Sequence, residues 1–242
     1  MQLPILNRNK EPDSNDLNRL RIEYSQRDQY LSGRVKYSPF DHAHLFNLQS
    51  RQKNMLSLLR KTGFTSLEGL NILDLGCGYG ETILTFLNSG ASPESLYGCD
   101  LIYYRLTDST IKTLNFPLAN ADGQNLPFPD GSFDLVFQGT VFTSILDPKV
   151  RSRIANEMIR VRKKEGIIIW YDFWLNPANK QVRGIRPREI KQLFPGCRFS
   201  FRRITLAPPI TRRLVKISWS ACTILESLKI FNSHYLGVIF NQ

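Results

Sequence analysis

The amino-acid sequence predicts an α/β fold in which helices flank a doubly wound, seven-stranded and mostly parallel sheet. From residue 70 onward, short apolar runs alternate with segments of helical periodicity, which is the pattern of successive βαβ units. A glycine-rich loop follows the first apolar run and opens a helix, which places a candidate ligand site at the carboxyl edge of the sheet.

The apolar runs predict seven strands, at Asn71–Leu75, Ser95–Asp100, Asn115–Asn120, Phe133–Gln138, Gly166–Asp172, Arg198–Leu206 and His234–Phe240. Helical periodicity predicts helices at Asn15–Gln29, Phe46–Arg60, Val150–Lys163 and Thr211–Phe231. The last is a helical insertion before the final strand, and its wide apolar stripe comprises Leu214, Ile217, Ala221, Ile224, Leu228 and Phe231. Such a stripe can pack on the sheet, cover a ligand pocket or contact a membrane surface.

The composition is that of an ordinary soluble protein, since 42% of the 242 residues are hydrophobic and 22% are charged. The longest apolar runs have about five residues, whereas a membrane-spanning helix needs about 20. The N-terminus is polar where a signal peptide would be apolar, so we expect a cytoplasmic protein. The cysteines are widely spaced, which disfavours a disulfide framework or a zinc site; they are Cys77, Cys99, Cys197 and Cys222.

Positive charge is concentrated in one part of the chain. The net charge is +11, and Lys149–Lys216 alone contains 18 basic and four acidic residues. That segment therefore has a net charge of +14, and the rest of the chain has −3. Such asymmetry indicates either a solvated basic face or an anionic partner, such as a nucleic acid, a nucleotide-linked substrate or a membrane surface.

The glycine-rich loop spans Asp74–Thr82 and reads Asp-Leu-Gly-Cys-Gly-Tyr-Gly-Glu-Thr. Glycines there allow a tight turn and a close approach of the backbone to a ligand. A nicotinamide dinucleotide site would need a third glycine where Glu81 stands, so this class is disfavoured. The sequence has no Gly-Lys-Ser/Thr, so a P-loop is absent. Asp100 ends the next predicted strand, where a carboxylate can accept both hydroxyls of a ribose, and Asp122 follows the third strand.

Asp74–Gly80 resembles motif I of class I S-adenosylmethionine-dependent methyltransferases, Asp/Glu-x-Gly-x-Gly-x-Gly. Ala121–Val136 resembles the later motifs of the type 11 subfamily, and Glu157–Lys163 is similar to the helix before its fifth strand. The resemblance covers roughly residues 30–175. It implies a Rossmann-like fold, with an N-terminal arm and helical lid in residues 1–60 and an S-adenosylmethionine-binding methyltransferase domain in residues 61–242. Segments 183–209 and 234–237 resemble a narrower set of methyltransferases of surface-polysaccharide biosynthesis.

The resemblance implies S-adenosylmethionine as the cofactor. Gly76 and Gly78 would pass under its methionine part, with Asp74 near the ammonium group. The resemblance also implies that Asp100 would hold the ribose and that Leu101 would pack on the adenine. Asp122 would accept a hydrogen bond from the adenine amino group, and Gly123 would leave room for the ring. Gln138 would face the methionine, and Tyr37 or Phe46 would stack near the sulfonium. For the two aromatic residues, simple packing within the lid is the alternative.

Methyl transfer to oxygen removes the acceptor proton, and a base with a pKa near neutrality suits this step. Two residues are candidates for this catalytic role. His42 lies in the predicted lid, and Asp172 ends the fifth strand, whose carboxyl end faces the pocket. Thr143 and Ser144 follow the fourth strand, where they either contact the acceptor or cap a helix.

We therefore expect methyl transfer to a hydroxyl of a small-molecule, nucleotide-sugar or glycan acceptor. Arginines of the basic segment can bind phosphate groups of an anionic acceptor, and peripheral membrane contact remains open. A nucleic-acid methyltransferase is one alternative. Gln138–Val141 stands where amino-methylating enzymes often carry Asn/Asp-Pro-Pro-Tyr/Phe, which disfavours methylation of base amino groups. A non-catalytic cofactor-binding module with a basic partner-binding face is the other alternative.

Overall fold

The computed structural model describes residues 15–31, 38, 40–108, 114–176, 179 and 181–241. Its centre is a seven-stranded sheet with the order β3-β2-β1-β4-β5-β7-β6. The strands are β1 (Ile72–Leu75), β2 (Leu96–Asp100), β3 (Leu118–Asn120), β4 (Phe133–Gly139), β5 (Arg162–Phe173), β6 (Cys197–Leu206) and β7 (Asn232–Asn241). All seven predicted strands are present, and the predicted fold class is confirmed.

Strands β1 to β5 run parallel, and β7 lies antiparallel between β5 and β6. Strands β2 and β3 lie on one side of β1 in the sheet, and β4 and β5, which come later in the chain, lie on its other side. In this register, Leu75 lies beside both Cys99 and Gln138. The carboxyl ends of β1, β2 and β4 therefore meet where the strand order reverses, the position that ligands occupy in open α/β sheets.

Helices cover both faces of the sheet. Those in the described ranges are α1 (Asn15–Leu31), α2 (His42–Lys61), α3 (Glu81–Leu87), α4 (Tyr103–Thr107), α5 (Val141–Ser144), α6 (Pro148–Val161), α7 (Pro187–Leu193), α8 (Pro208–Leu214) and α9 (Trp219–Ser227). Successive side chains of a strand point to opposite faces, so Ile72 and Leu73 belong to two different buried clusters. Because both faces are covered, all four residues of β1 are buried.

Helix α2 begins at His42, four residues before the predicted start at Phe46. The side chain of Asp41 accepts a hydrogen bond from the backbone N–H of His44 at 2.7 Å. This N-cap stabilises a polar first turn that hydrophobic periodicity does not reveal.

The boundary between α6 and β5 also differs from the prediction. The strand begins at Arg162, whereas the sequence predicted a helix to Lys163 and a strand only from Gly166. The guanidinium of Arg162 donates to the carbonyl of Gly166 at 2.8 Å, and the ammonium of Lys163 lies 2.8 Å from the carboxylate of Asp134 in β4. These contacts hold a charged segment in an extended conformation.

The single helix predicted over Thr211–Phe231 is wrong, because the chain forms the two short helices α8 and α9. The side chain of Ser218 accepts a hydrogen bond from the N–H of Ala221 at 3.1 Å and so caps a new helix. Much of the predicted apolar stripe is exposed rather than packed on the sheet, including Ile217 and Leu228. Among the described residues, no helix has the length and apolar content needed to span a membrane.

Candidate active site

A cavity of about 150 Å³ lies at the carboxyl ends of β1, β2 and β4, under helix α1. Its walls include Leu75, Gly76, Asp100, Leu101, Asp122 and Gly123 at the strand ends, Thr140, Val141 and Ser144 around α5, and Leu17, Leu20, Tyr24 and Arg27 of α1. Five of the residues predicted to bind the cofactor therefore line one cavity: Gly76, Asp100, Leu101, Asp122 and Gly123.

The loop between β1 and α3 depends on glycine for its shape. Gly76 and Gly78 have φ angles of +74° and +53°, which strain residues that carry a Cβ atom. A Cβ atom on Gly76 would lie 2.5 Å from Cγ2 of Val141. The N–H of Gly76 donates to the carbonyl of Cys99 at 2.7 Å, which ties the loop to β2. The backbone of this loop therefore passes close to the cavity in a fixed conformation.

The carboxylate of Asp100 connects the glycine loop to the cavity. Its Oδ2 accepts a hydrogen bond from the N–H of Gly78, and its Oδ1 accepts one from the N–H of Ile102, both at 2.8 Å. Burial raises the pKa of Asp100, and these two hydrogen bonds oppose the rise. A carboxylate has about four lone-pair positions, so Asp100 retains acceptor capacity for two hydroxyl groups of a ligand.

Asp122 and Leu101 form the adjoining part of the wall. The carboxylate of Asp122 accepts hydrogen bonds from the backbone N–H and the side-chain amide of Gln124, each at 2.9 Å. These bonds fix the carboxylate and leave lone pairs for a donor on a ligand. Leu101 is half-buried and offers the apolar surface that a planar ring requires.

Asp74 is buried in β1, directly before Leu75. Its Oδ2 has no hydrogen-bond partner within the described ranges, which is uncommon for a buried oxygen. Burial raises the pKa of Asp74 to about 8, although the positive charge of Arg51 acts in the opposite direction. A cationic group of a ligand would give this oxygen a partner.

Asp172 and Gln138 are fully buried and do not belong to the cavity wall. The carboxylate of Asp172 accepts hydrogen bonds from Nε1 of Trp170 at 2.7 Å, from Nε2 of Gln138 at 3.0 Å, and from Oγ1 and N of Thr143 at 2.5 and 3.2 Å. Burial raises the pKa of Asp172 to about 6, against the effect of these donors. Oε1 of Gln138 accepts from the N–H of Val141 at 3.0 Å. The two residues thus hold α5 beside the cavity.

The predicted lid residues have different outcomes. His42 is exposed on the first turn of α2 and does not line the cavity. Tyr37 lies outside the described residues. Phe46 is buried and packs against Trp219 at a centroid distance of 5.2 Å, so it serves packing of the lid.

Sequence reasoning missed an ion cluster at the start of α3. The carboxylate of Glu81 lies 2.7 Å from Nε2 of His44 and 2.8 Å from the guanidinium of Arg51. Burial acts to raise the pKa of Glu81, but the contacts with His44 and Arg51 outweigh it and lower the pKa to about 2. From the sequence alone, Glu81 is only a residue that disfavours a nicotinamide dinucleotide site. In the structure it joins α2 to the glycine loop.

Sequence reasoning also missed the contacts of α1. The carboxylate of Asp28 accepts hydrogen bonds from Nε and Nη2 of Arg105, both at 2.7 Å, and from the hydroxyl of Tyr104 at 2.8 Å. The guanidinium of Arg105 lies 4.2 Å from the ring centroid of Tyr24, which lines the cavity. The only signal in the sequence was the spacing of Tyr24 and Asp28, which puts both on one face of a helix.

Residues 73–170 match the family whose description is methyltransferase domain. This part of the chain is similar to methyltransferase domains. It contains all three cavity-forming strand ends, the glycine loop, and the acidic residues Asp74, Asp100 and Asp122.

The curated relatives of this chain differ in what their names say they methylate. The chain is 28% identical over 162 residues to 2-methyl-6-phytyl-1,4-hydroquinone methyltransferase of Synechocystis sp., covering 62% of this chain and 50% of that protein. It is 28% identical over 116 residues to the tRNA N(3)-methylcytidine methyltransferase Mettl2 of Drosophila melanogaster, covering 44% and 35%. The chain thus spans half the length or less of these curated relatives.

Among solved structures, magnesium protoporphyrin IX methyltransferase (ChlM) from Synechocystis, determined with bound S-adenosylmethionine, has a similar fold. The TM-score is 0.59 at 17% identity, over 96% of this chain and all of that one. Similarity at this level shows the fold, and function depends on the residues of the site. Those residues fit S-adenosylmethionine: Asp100 retains acceptors for a ribose, and the buried oxygen of Asp74, which has no partner in the described part of the chain, suits an ammonium group.

Proposed function

We propose that this protein binds S-adenosylmethionine in the cavity and transfers its methyl group to an acceptor hydroxyl. The observation that carries the proposal is the set of carboxylates at one edge of the sheet. Asp100 and Asp122 line the cavity, and Asp74 has a buried oxygen without a partner in the described part of the chain. The ammonium and sulfonium groups of the cofactor are cationic, so nearby carboxylates stabilise the bound form.

When bound, S-adenosylmethionine supplies an activated methyl group, and the protein has to orient the reactants and exclude water. Helix α1 covers the cavity and suits the second task. The other roles predicted from the sequence form part of this proposal: Asp100 on the ribose, Leu101, Asp122 and Gly123 on the adenine, Asp74, Gly76 and Gly78 around the methionine, and Tyr37 near the sulfonium.

The residue that takes the acceptor proton stays a prediction, with His42 and Asp172 as the candidates. The hydrogen bonds from Gln138, Trp170 and Thr143 to Asp172 support a positioning role, because they use the carboxylate to hold α5. His42 is exposed on the first turn of α2 and does not line the cavity. A pH–rate profile of each alanine variant separates the two residues.

We propose a small-molecule, nucleotide-sugar or glycan acceptor. The sequence Gln138–Val141 lacks the motif of many amino-methylating enzymes, which supports oxygen as the accepting atom. Part of the basic segment serves structure: the guanidinium of Arg203 donates to the carbonyl of Asn232 at 2.9 Å. Arg212 and Arg213 are exposed and can meet an anionic partner.

A nucleic-acid acceptor is the second candidate, favoured by the net charge of +11 and by the relative named as a tRNA methyltransferase. Transfer of labelled methyl from S-adenosylmethionine to three acceptor panels separates the candidates: glycans with nucleotide sugars, bulk tRNA, and DNA oligonucleotides. We expect labelling of the first panel, lost in Asp100→Ala and retained in Glu94→Gln, an exposed acid at the opposite edge of the sheet. Labelling of tRNA alone would contradict the proposed acceptor. Cofactor binding without any transfer would favour the non-catalytic module.

A further inference from the structure

Helix α9 and the turns beside it expose a concentration of apolar side chains. Of the thirteen large apolar side chains exposed in the described ranges, six lie between residues 217 and 231. The exposed fractions are 82% for Ile217, 63% for Ile224, 54% for Leu228, 68% for Ile230 and 45% for Phe231. Single exposed apolar residues are normal, whereas a concentration of them marks an interaction site.

The inner side of the same segment is firmly packed. Val215 and Cys222 join Ala43 and Phe46 of α2 in one buried cluster. The side chain of Thr211 in α8 donates to a β6 carbonyl at 3.0 Å. The exposed apolar side chains therefore belong to a folded element with two distinct sides.

The exposed charge of this segment is positive. Arg212, Arg213 and Lys216 precede α9, Lys229 follows it, and all four are exposed. No acidic side chain in the described part of the chain forms an ion pair with any of them. The one acid between residues 208 and 231, Glu226, points inward and accepts hydrogen bonds from α2 and β6.

We propose that residues 212–231, here called the docking surface, bind an anionic lipid bilayer. The apolar side chains of Ile217, Ile224 and Leu228 enter the boundary between head groups and acyl chains. The four cations contact lipid phosphates around them. Peripheral proteins use this combination of an apolar face and a basic rim on anionic membranes.

Charge and polarity together favour a bilayer over other occupants. A nucleic acid would pair with the cations but would leave the isoleucine and leucine side chains without an apolar partner, because such interfaces are strongly polar. A second copy of the chain in a two-fold interface would bring the same four cations together, and like charges oppose association. An anionic bilayer matches both the apolar and the basic parts.

The docking surface is joined to the glycine loop through α2. Phe46 of α2 packs under Trp219, and Arg51 of the same helix pairs with Glu81 at the start of α3. A docked protein would therefore hold the glycine loop at a fixed distance from the membrane. Membrane docking requires neither cofactor nor acceptor, so this proposal does not depend on whether the protein transfers methyl groups.

Sedimentation of the purified protein with lipid vesicles tests the proposal. The vesicles consist of phosphatidylcholine alone or with about 30% phosphatidylglycerol, an anionic fraction that attracts basic segments. We expect binding at least about tenfold tighter to the anionic vesicles, weakening as salt is added. The double variant Ile224→Ser/Leu228→Ser and the triple variant Arg212→Gln/Arg213→Gln/Lys216→Gln should each bind about tenfold more weakly.

Ile22→Ser is the matched control, because Ile22 is a 60% exposed isoleucine on α1, and we expect it to bind as the wild type does. Thermal unfolding verifies that each variant is folded, and Ile217→Ser replaces the double variant if that one is not. Absence of wild-type binding to anionic vesicles overturns the proposal. If the serine variants bind anionic vesicles as tightly as the wild type does, the proposed insertion of apolar side chains is overturned. If light scattering shows a wild-type dimer that the serine variants do not form, the membrane proposal is overturned and the docking surface is a self-association interface.

Discussion

The guanidinium of Arg105 and the carboxylate of Asp28 form a two-point ion pair, with Nε and Nη2 each 2.7 Å from a carboxylate oxygen. The residues are 77 positions apart and join α4 to α1. Their side chains are only 10% and 15% exposed, and a two-point pair of this kind is strong and geometrically specific. Because Tyr24 and Arg27 of α1 line the cavity, the pair holds this helix over the candidate cofactor site.

Replacement of Asp28 by alanine tests this clamp. The variant leaves the largely buried guanidinium of Arg105 without its anionic partner, which lowers the free energy of unfolding. We expect the dissociation constant of S-adenosylmethionine to rise about tenfold, equivalent to about 1.4 kcal/mol, and the melting temperature to fall. Calorimetry and thermal unfolding measure the two effects. Glu23→Gln on the same helix is the control, and unchanged affinity in Asp28→Ala would show that α1 does not act on the site.

Burial of Asp74 predicts the direction of a pH dependence. Its pKa is about 8 in the folded protein against an ordinary 3.8, so between these values the folded state holds a proton that the unfolded state has released. The free energy of unfolding of the ligand-free protein should therefore contain a contribution that falls as pH rises from about 4 to about 8. Urea unfolding at several pH values should show a smaller fall in Asp74→Asn. Identical pH profiles for both proteins would refute this assignment.

Cofactor binding should release a proton from Asp74 near pH 7. The cofactor ammonium favours the ionised carboxylate and so lowers the pKa of Asp74 from its value of about 8. Calorimetry in two buffers with different ionisation enthalpies should report release of up to about one proton. The release should be smaller in Asp74→Asn. Equal heats in both buffers for the wild type would mean that Asp74 does not meet the ammonium group.

Alanine substitutions at Gly76 and Gly90 distinguish the cost of backbone strain from the cost of a steric clash. Their φ angles are +74° and +94°. A Cβ atom on Gly76 would lie 2.5 Å from Val141, whereas one on Gly90 would meet nothing within 4 Å. We expect Gly90→Ala to lower the free energy of unfolding by about 1–2 kcal/mol, and Gly76→Ala by about 1–3 kcal/mol more, with loss of cofactor binding. Equal losses in urea titrations would argue against the close approach at Gly76.

Thr143→Val tests the positioning role of Asp172. The variant removes the hydroxyl that lies 2.5 Å from the carboxylate, and we expect it to lower the free energy of unfolding by about 1–3 kcal/mol. Thr223→Val, at an exposed position of α9, should have almost no effect. If Asp172 positions α5, both Thr143→Val and Asp172→Asn weaken cofactor binding without moving the pH–rate profile. Loss of an ionisation near pH 6 from that profile would instead identify Asp172 as the base.

The cavity wall and helix α1 could be predicted from the sequence, whereas the contacts that hold α1 over the cavity could not. Asp100 ends one parallel strand and Asp122 follows another, and the carboxyl ends of such strands meet at one edge of the sheet. The ion pair of Asp28 with Arg105 could not be predicted, because helical periodicity shows which face of a helix is buried but not which distant residue contacts it. Where α8 and α9 divide, Ser218 accepts a hydrogen bond from the N–H of Ala221, a local cap that the continuous apolar stripe does not reveal.

The central claim is that the acidic residues at the carboxyl edge of the sheet bind S-adenosylmethionine. The most direct measurement is titration calorimetry of the purified protein with the cofactor, beside the variants Asp100→Ala and Glu94→Gln. We predict micromolar binding by the wild type and by Glu94→Gln, and binding at least about tenfold weaker by Asp100→Ala, a loss of about 1.4 kcal/mol or more. Equal binding by Asp100→Ala, or no wild-type binding at millimolar cofactor, would contradict the claim.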